Sequence, residues 1–164
     1  MTALCAIGLG ANLGDPESAL ERAINLLRLN SNLTVTALSS TWLTEPVGGP
    51  SGQNWYFNRV VMLSTDLIPL QLLAILMEIE SQLGRIRRER WGPRLIDLDL
   101  LFRNQDTLDS PELTLPHPRL HERAFMLFPL REVCPEWVHP IFGLNVGELL
   151  LRLPPSTLQV QKLY

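Results

Sequence analysis

Apolar and polar residues along the first hundred positions of the chain follow two periodicities. Some stretches are continuously apolar or alternate with a period of two, which is typical of β-strands. Others repeat their apolar residues every three to four positions, as one face of a helix does. The pattern predicts strands over residues 3–9, 33–43, 56–65 and 95–102, and helices from Pro16 to about Leu29 and from Pro69 to Gly84.

The order of these elements is strand, helix, strand, strand, helix, strand. This is the order of the ferredoxin-like α+β fold, βαββαβ, in which an antiparallel sheet carries two helices on one face. Asp15 is the expected N-cap of the first helix, and Gly84 is the expected C-terminal stop of the second. The proline-rich remainder, with short helices expected near residues 121–133 and 146–152, is predicted to pack onto this core as a C-terminal extension. We therefore expect residues 1–164 to form a single domain.

Composition excludes several classes of protein. Hydrophobic residues make up 46% of the 164 positions and charged residues 19%, so the chain can build a packed core and global disorder is excluded. No apolar run approaches the ~20 residues that cross a bilayer, and the N-terminus lacks the basic region of a signal peptide. Because Cys5 and Cys134 both lie in apolar surroundings, we expect two reduced core thiols in a cytoplasmic protein.

Basic residues are distributed unevenly along the chain. The net charge of −3 disfavours a general nucleic-acid binder. Thirteen of the 14 basic residues are arginine, and five of those arginines fall between residues 85 and 94. A planar guanidinium binds phosphate through two parallel hydrogen bonds, which a lysine ammonium cannot do. The segment 85–94 therefore favours a phosphate site over an ordinary solvated basic face.

Two aspartates, Asp97 and Asp99, interrupt the last predicted strand, which is otherwise apolar at its centre. Side chains at positions i and i+2 share one face of a strand, so the carboxylates lie side by side while Ile96, Leu98 and Leu100 point toward the helices. Neighbouring carboxylates repel each other unless a cation lies between them. Mg²⁺ commonly binds one or two carboxylates together with substrate phosphates. With arginines adjoining the pair, a metal–phosphate site is favoured over an incidental acidic face.

Three further features are candidates for the same site, and each has a purely structural alternative. The loop 44–54 leads to Asn58, whose amide suits a planar heterocycle but is equally well satisfied by backbone groups. Trp91 is able to cover a base or simply to anchor the core. His117, between two prolines, is placed to donate to a phosphate, although a lone histidine is more often structural.

The predicted phosphate segment and the two aspartates form one continuous motif, Arg90-Trp91-Gly92-Pro93-Arg94-Leu95-Ile96-Asp97-Leu98-Asp99. This motif resembles a known family of folate biosynthesis, the 6-hydroxymethyl-7,8-dihydropterin pyrophosphokinases. The resemblance extends over nearly the whole chain, through Gly8-Leu9-Gly10-Ala11-Asn12, Thr44-Glu45-Pro46-Val47-Gly48, Asn58 and Leu115-Pro116-His117-Pro118-Arg119. The chain departs from the family pattern at Glu112, where some members carry Arg, and at Pro118, where members can carry Tyr.

The resemblance implies transfer of the β,γ-diphosphate of ATP to the hydroxymethyl group of the dihydropterin, with release of AMP. It implies two Mg²⁺ ions held by Asp97 and Asp99, which form the catalytic set with the loop arginines Arg85 and Arg94. Pterin contacts are expected from Thr44, Val47, Tyr56, Asn58, Trp91 and Phe125. ATP contacts are expected from Glu80, Arg87, Arg90, Trp91, Arg94, His117 and Arg123. We expect a monomer whose partners are ATP and the dihydropterin, with no nucleic acid and no membrane.

Two functions of other classes remain open on the residues alone. A non-catalytic ligand-sensing module shares the fold but has no need of a metal clamp beside Arg94. An RNA-binding sheet uses exposed aromatic residues and arginine, but an acidic sheet centre repels phosphate and the predicted strands lack aromatic platforms. Measuring the conversion of ATP to AMP with and without the dihydropterin separates all three functions.

Overall fold

A computed structural model describes residues 2–45, 54–84 and 95–163 of the chain. Within these residues, a six-stranded sheet packs against helices. The strands are β1 (Ala3–Ala11), β2 (Leu33–Leu38), β3 (Trp42–Thr44), β4 (Tyr56–Thr65), β5 (Asp97–Arg103), the short pair β6 (Leu108–Asp109) and β7 (Thr114–Leu115), and β8 (Val160–Lys162). The helices are α1 (Pro16–Leu29), α2 (Pro69–Gly84), α3 (Ala124–Val133) and α4 (Val146–Leu151). The predicted combination of an antiparallel sheet with helices is confirmed.

The main sheet runs in the order β5-β1-β4-β3-β8, with β2 also paired to β4, and every pairing is antiparallel. The single strand predicted over residues 33–43 is divided into β2 and β3. The division lies at Ser39, whose N–H donates to the Val60 carbonyl (2.9 Å) and whose hydroxyl accepts from the Val60 N–H (2.8 Å). Because a side-chain oxygen replaces a backbone carbonyl there, the regular ladder is interrupted. Strand β8 was not predicted, since its three residues are too few to show a pattern.

Helices α1 and α2 cover one face of the sheet, as predicted. The Asp15 carboxylate caps α1 by accepting from the Ser18 N–H (3.2 Å), and Pro16 occupies the first turn. The apolar stripes of both helices are buried against strand residues of one shared core. These stripes consist of Leu20, Ala23, Ile24 and Leu27 in α1, and Leu72, Leu76, Ile79 and Leu83 in α2.

Helices α3 and α4 cover the opposite face, so the expectation of helices on one face holds for α1 and α2 only. Met126 and Leu130 of α3 share a second core with Ala6 of β1 and Val60 of β4. Strand β1 is consequently buried on both faces, which explains its uninterrupted apolar sequence. A single 3₁₀ turn over Leu120–Glu122 precedes α3. In the described part of the chain, no helix has the length and apolar character needed to span a bilayer.

Both cysteines are free and buried in the apolar cores, as expected. Burial raises the pKa of the Cys5 thiol to about 12 and, with the nearby Glu136, the pKa of the Cys134 thiol to about 11. Both thiols therefore stay protonated at neutral pH, which makes them poor nucleophiles and poor metal ligands.

One histidine, His139, is buried in a cluster of rings beside the second core. Its ring lies 5.4 Å from that of Trp137, 4.6 Å from that of Phe142 and 6.3 Å from that of His121, measured between centroids. The Ile141 N–H donates to its Nδ1 (3.2 Å). Burial, followed by the nearby His121, lowers the pKa of His139 to about 4. The ring is thus neutral at physiological pH.

Acid should destabilise the fold through His139. In the unfolded chain this ring takes up a proton near pH 6.5, whereas in the folded chain it does so only near pH 4, so the free energy of unfolding should fall as the pH drops from 6.5 to 4. His139→Phe keeps a ring in the cluster and removes the imidazole whose protonation makes the stability depend on pH. We expect urea titrations at pH 7 and pH 5 to show a smaller loss of stability for the variant than for the wild type. Equal losses would contradict this assignment.

Candidate active site

Asp97 and Asp99 lie on the face of the sheet that carries α3. The neighbouring residues Ile96, Leu98 and Leu100 are buried in the core under α1 and α2, as the alternation predicts. Asp97 is exposed at the start of β5, and Asp99 is half-buried one pleat further along. The two carboxylates thus project from the outermost described strand of the sheet, on the same face as the N-terminal end of α3.

Two glycines on β1, Gly8 and Gly10, stand directly opposite the aspartates, with Gly8 paired to Asp99 and Gly10 to Asp97. A Cβ atom at Gly8 would lie 2.6 Å from Sδ of Met126, so α3 packs directly on the backbone there. A Cβ atom at Gly10 would lie 3.3 Å from Oδ1 of Asn58. Both glycines therefore permit a close approach, a role that glycine inside an apolar strand often has.

Asn58 continues the same row of residues on β4. It pairs with Gly10 on one side and with Trp42 of β3 on the other, so that the row reads Asp97, Gly10, Asn58, Trp42 across four strands. The Asn58 side chain is 2% exposed. Its Nδ2 donates to the Thr44 hydroxyl (3.1 Å), the Trp42 carbonyl (3.3 Å) and the Tyr56 carbonyl (3.4 Å). These three acceptors orient the amide with its Oδ1 above Gly10.

Arg123, His117 and Asp99 come together beside the start of α3. Nη1 of Arg123 lies 3.9 Å from Oδ2 of Asp99, and its guanidinium carbon lies 5.6 Å from the centroid of the Phe125 ring. The Arg119 N–H donates to Nδ1 of His117 (3.1 Å). Burial chiefly, with Arg123 and Arg119, lowers the pKa of His117 despite the opposing charge of Asp99. His117 is therefore neutral at pH 7, with its proton on Nε2 as a donor.

Glu80, near the end of α2, forms a hydrogen bond with the backbone of β5. Its Oε2 accepts from the Leu98 N–H (2.7 Å), the backbone group that lies between the two aspartates. A carboxylate bonded to a backbone N–H is a strong contact. One oxygen of Glu80 thus positions the strand that carries Asp97 and Asp99, a role that the sequence did not indicate.

The structure describes the positions of some predicted site residues, and others fall outside the described residues. Thr44, Tyr56, Asn58 and Phe125 lie on β3, β4 and α3 around the same face of the sheet. Phe57, which lies between Tyr56 and Asn58 in β4, packs against the core under α1 and α2. This follows from the alternation along β4, which directs Phe57 away from Asn58. Six of the predicted site residues fall outside the described residues, namely Val47, Arg85, Arg87, Arg90, Trp91 and Arg94.

Comparison with known proteins relates this site to a family. A sequence model of the 7,8-dihydro-6-hydroxymethylpterin-pyrophosphokinases matches residues 6–135. The chain belongs to this family. One relative, the 2-amino-4-hydroxy-6-hydroxymethyldihydropteridine pyrophosphokinase of Bacillus subtilis, is 43% identical over 134 residues, which cover 82% of this chain and 80% of the relative. The enzyme of the same name from Methylorubrum extorquens is 40% identical over 153 residues, 93% of this chain and 95% of the relative.

Solved HPPK-DHPS structures share the fold of this pyrophosphokinase-family chain. The wild-type HPPK-DHPS protein of Plasmodium falciparum matches with a TM-score of 0.72 at 15% identity, over 91% of this chain and 44% of that one. An HPPK-DHPS structure in complex with substrates matches with a TM-score of 0.68 at 15% identity, over 90% of this chain and 42% of that one. This chain therefore spans less than half the length of those proteins. At such identities the likeness shows the fold alone.

A cleft of about 250 Å³ runs beside Asp99 along the outer edge of β5. Leu73 of α2 contributes one wall and Leu113, before β7, contributes another; His117 lies at one side. The Leu98 N–H is directed away from β1 toward Glu80, and Leu100, two residues further along β5, lines the cleft. The cleft thus combines apolar walls with the polar side chains of Asp99 and His117. Both departures from the family pattern, Glu112 and Pro118, line this cleft.

The donor set at Asp97 and Asp99 suits a hard cation that other ligands complete. Among the described residues there is no group of three or more His, Cys, Asp or Glu side chains placed to hold a metal ion. Two carboxylates on one strand face offer oxygen donors, and Mg²⁺ commonly binds one or two carboxylates with substrate phosphates and water. The pair therefore fits Mg²⁺ better than it fits a metal that needs three or four side-chain ligands.

Proposed function

We propose that this chain transfers the β,γ-diphosphate of ATP to the hydroxymethyl group of 6-hydroxymethyl-7,8-dihydropterin, releasing AMP, in folate biosynthesis. Membership of the pyrophosphokinase family supports the reaction. The observation that carries the proposal for the site is the row in which Asp97 and Asn58 flank Gly10 on one face of the sheet. Carboxylates for a metal–phosphate group and an amide for a planar ring thus lie two strands apart.

In this proposal the dihydropterin lies on the sheet above Gly10. The three acceptors fix the orientation of the buried Asn58 amide. The amide therefore forms hydrogen bonds with the polar edge of the heterocycle without having to reorganise. Thr44, Tyr56 and Phe125 surround the ring, together with Val47 and Trp91. Glycine at position 10 leaves room for the Oδ1 of Asn58, which would lie 3.3 Å from a Cβ atom there.

ATP occupies the cleft beside β5 in the same proposal. The apolar walls at Leu73 and Leu113 suit the faces of a purine ring. The neutral His117 donates from Nε2, and Arg123 and Glu80 lie nearby on either side of β5. Arg87, Arg90, Trp91 and Arg94 complete the nucleotide contacts, and Arg85 with Arg94 neutralises charge during transfer.

The chemistry requires charge neutralisation more than proton transfer. The pterin hydroxyl oxygen attacks the β-phosphorus and its proton passes to the solvent. The bond from that phosphorus to the α,β-bridging oxygen breaks, so AMP leaves with the bonding electrons. Two Mg²⁺ ions, when bound at Asp97 and Asp99, supply positive charge at the phosphates. Arg123 is held close to Asp99 and adds a further cation at the same place. Phosphoryl transfer of this kind depends mainly on positioning and electrostatic stabilisation.

We further propose that the whole chain acts as one ferredoxin-like domain with a C-terminal extension, as a monomer in the cytoplasm. The strand order β5-β1-β4 with β2 and β3 beyond it, and α1 and α2 together on one face, supports the ferredoxin-like assignment. The two free, buried cysteines are consistent with a reducing compartment.

A nucleotide assay tests the proposed reaction directly. Purified protein is incubated with ATP and Mg²⁺, with and without the dihydropterin, and the nucleotide products are separated by chromatography. We expect AMP, and no ADP, to form only when the dihydropterin is present. Formation of ADP, or AMP formation that does not depend on the pterin, would contradict the proposal. A ligand-sensing module or an RNA-binding sheet would produce neither nucleotide.

A further inference from the structure

Glu132, near the C-terminal end of α3, accepts hydrogen bonds from Trp42 of β3 and from Ser40, two residues before that strand residue. Its Oε1 accepts from the Ser40 N–H (3.2 Å) and from Nε1–H of Trp42, and its Oε2 accepts from the Ser40 hydroxyl (2.9 Å). Nζ of Lys162 on β8 lies 3.6 Å from the same Oε2. The side chain is 27% exposed. One partly buried carboxylate therefore joins α3 to the beginning of β3 and to the neighbouring strand β8.

The charge of Glu132 strengthens these contacts. Burial on its own raises the pKa of this carboxyl, but the hydrogen bonds from Trp42 and Ser40 and the charge of Lys162 outweigh burial, so the pKa is lowered overall. Glu132 is ionised at neutral pH as a result. Hydrogen bonds to an ionised group are roughly twice as strong as those between neutral groups.

A second contact between α3 and β3 lies one helical turn before Glu132. The ring of Phe128 stacks on that of Trp42, with the centroids 5.2 Å apart and the planes 18° from parallel. Positions four apart share one face of a helix. Phe128 and Glu132 therefore hold Trp42 between them through its ring and its indole N–H.

Strand β3 is the element that orients the Asn58 amide. It has only three residues, and two of the three acceptors of Asn58 Nδ2 belong to it, the Trp42 carbonyl and the Thr44 hydroxyl. A shift of β3 would change the direction in which Oδ1 points above Gly10. Strand β3 thus links α3 to the proposed pterin site, because Trp42 contacts α3 and both Trp42 and Thr44 accept from Asn58.

We propose that Glu132 is a positioning residue for the pterin site: by fixing β3 through Ser40 and Trp42, it holds the Asn58 amide in the orientation that binds the ring. It touches no substrate, and the ATP cleft lies on the far side of β5 from β3. The inference rests on the proposed function, and it assigns to α3 a second task besides presenting Arg123 and Phe125.

Binding measurements on three variants test this inference. Glu132→Gln keeps the shape but supplies one acceptor oxygen where the carboxylate has two, and Trp42→Phe keeps the stacked ring but loses the indole donor. We expect each to raise the calorimetric Kd of the dihydropterin about tenfold, the factor typical of one lost hydrogen bond to a charged group. The Kd of a non-hydrolysable ATP analogue with Mg²⁺, measured separately, should stay unchanged. Asn58→Leu serves as the reference for a lost pterin contact.

Asp106→Asn is the matched control. Asp106 is likewise a partly exposed carboxylate held by a cation, Arg103, but it lies beyond the opposite end of β5 from Asp97. The Asp106→Asn variant should unfold at a lower thermal midpoint than the wild type, while the Kd of the dihydropterin and the Kd of the ATP analogue stay unchanged. If Glu132→Gln lowers the midpoint and leaves the pterin Kd unchanged while Asn58→Leu weakens pterin binding, Glu132 is merely structural and the inference is wrong. If Asn58→Leu itself binds the pterin normally, the proposed pterin site is wrong, and the inference falls with it.

Discussion

Asp99→Asn should lower kcat/KM by about 10³-fold or more, the scale on which losing one group that stabilises transition-state charge acts. The substitution removes a carboxylate that fits Mg²⁺ and that lies 3.9 Å from Arg123. Asp97→Asn should have an effect of the same order, because both side chains project from one face of β5. Steady-state AMP formation at saturating ATP and Mg²⁺ measures both effects.

The fold should survive these substitutions, since Asp97 and Asp99 face the site and contribute nothing to either apolar core. Removing one carboxylate also relieves its repulsion of the other, so the thermal midpoint should stay constant or rise slightly. Asp66→Asn is a suitable control, because Asp66 is an exposed acid that follows β4 and bonds only to the Thr2 hydroxyl among the contacts described. Full turnover by wild-type protein in excess EDTA would contradict the metal role.

Asn58→Leu should weaken binding of the dihydropterin by about 10²-fold or more, since a site built to hydrogen-bond its ligand discriminates strongly when a polar partner is lost. The leucine fills a similar volume but offers the ring no donor or acceptor. It also leaves the Thr44 hydroxyl and two backbone carbonyls without the amide, which should cost about 1–3 kcal/mol of unfolding free energy. Calorimetry with the dihydropterin and urea unfolding measure the two effects separately.

Thr65→Val separates the loss of binding from the loss of stability. Thr65 is a buried polar residue at the other end of β4, and its hydroxyl donates to the Asn32 carbonyl (2.7 Å). Its replacement should destabilise the fold to a comparable extent without changing the pterin affinity. A pterin Kd that rose equally in both variants would mean that Asn58 acts only through stability.

Local features of the sequence predicted the elements that carry the site. The helix starts at Pro16 and Pro69 and the stop at Gly84 were correct because they depend on residues adjacent along the chain. The shared face of Asp97 and Asp99 was correct because a strand alternates its side chains whatever its neighbours are. For Asn58 the structural alternative was correct, since two backbone carbonyls accept from its Nδ2, and its binding of a heterocycle stays a prediction.

Long-range partners were beyond the reach of the same reasoning. Nothing in the local sequence indicates that Glu132 bonds to Ser40 and Trp42, about ninety residues earlier, or that Glu80 accepts from Leu98. The roles of Gly8 and Gly10 in β1 likewise depend on Met126 and Asn58, which only folding brings near. The roles predicted for the segments 46–53 and 85–94 stay predictions.

The sequence by itself determined the type and order of most elements, the face on which the aspartates lie and the family to which the chain belongs. These properties follow from periodicity, capping residues and contiguous motifs, all of which are local. Only the tertiary structure decided that α3 packs on Gly8 of β1, that Arg123 and His117 meet at Asp99, and that two residues of β3 orient the Asn58 amide. Such contacts depend on strand order and on helix packing across the sheet, which join residues that no short stretch of sequence contains together.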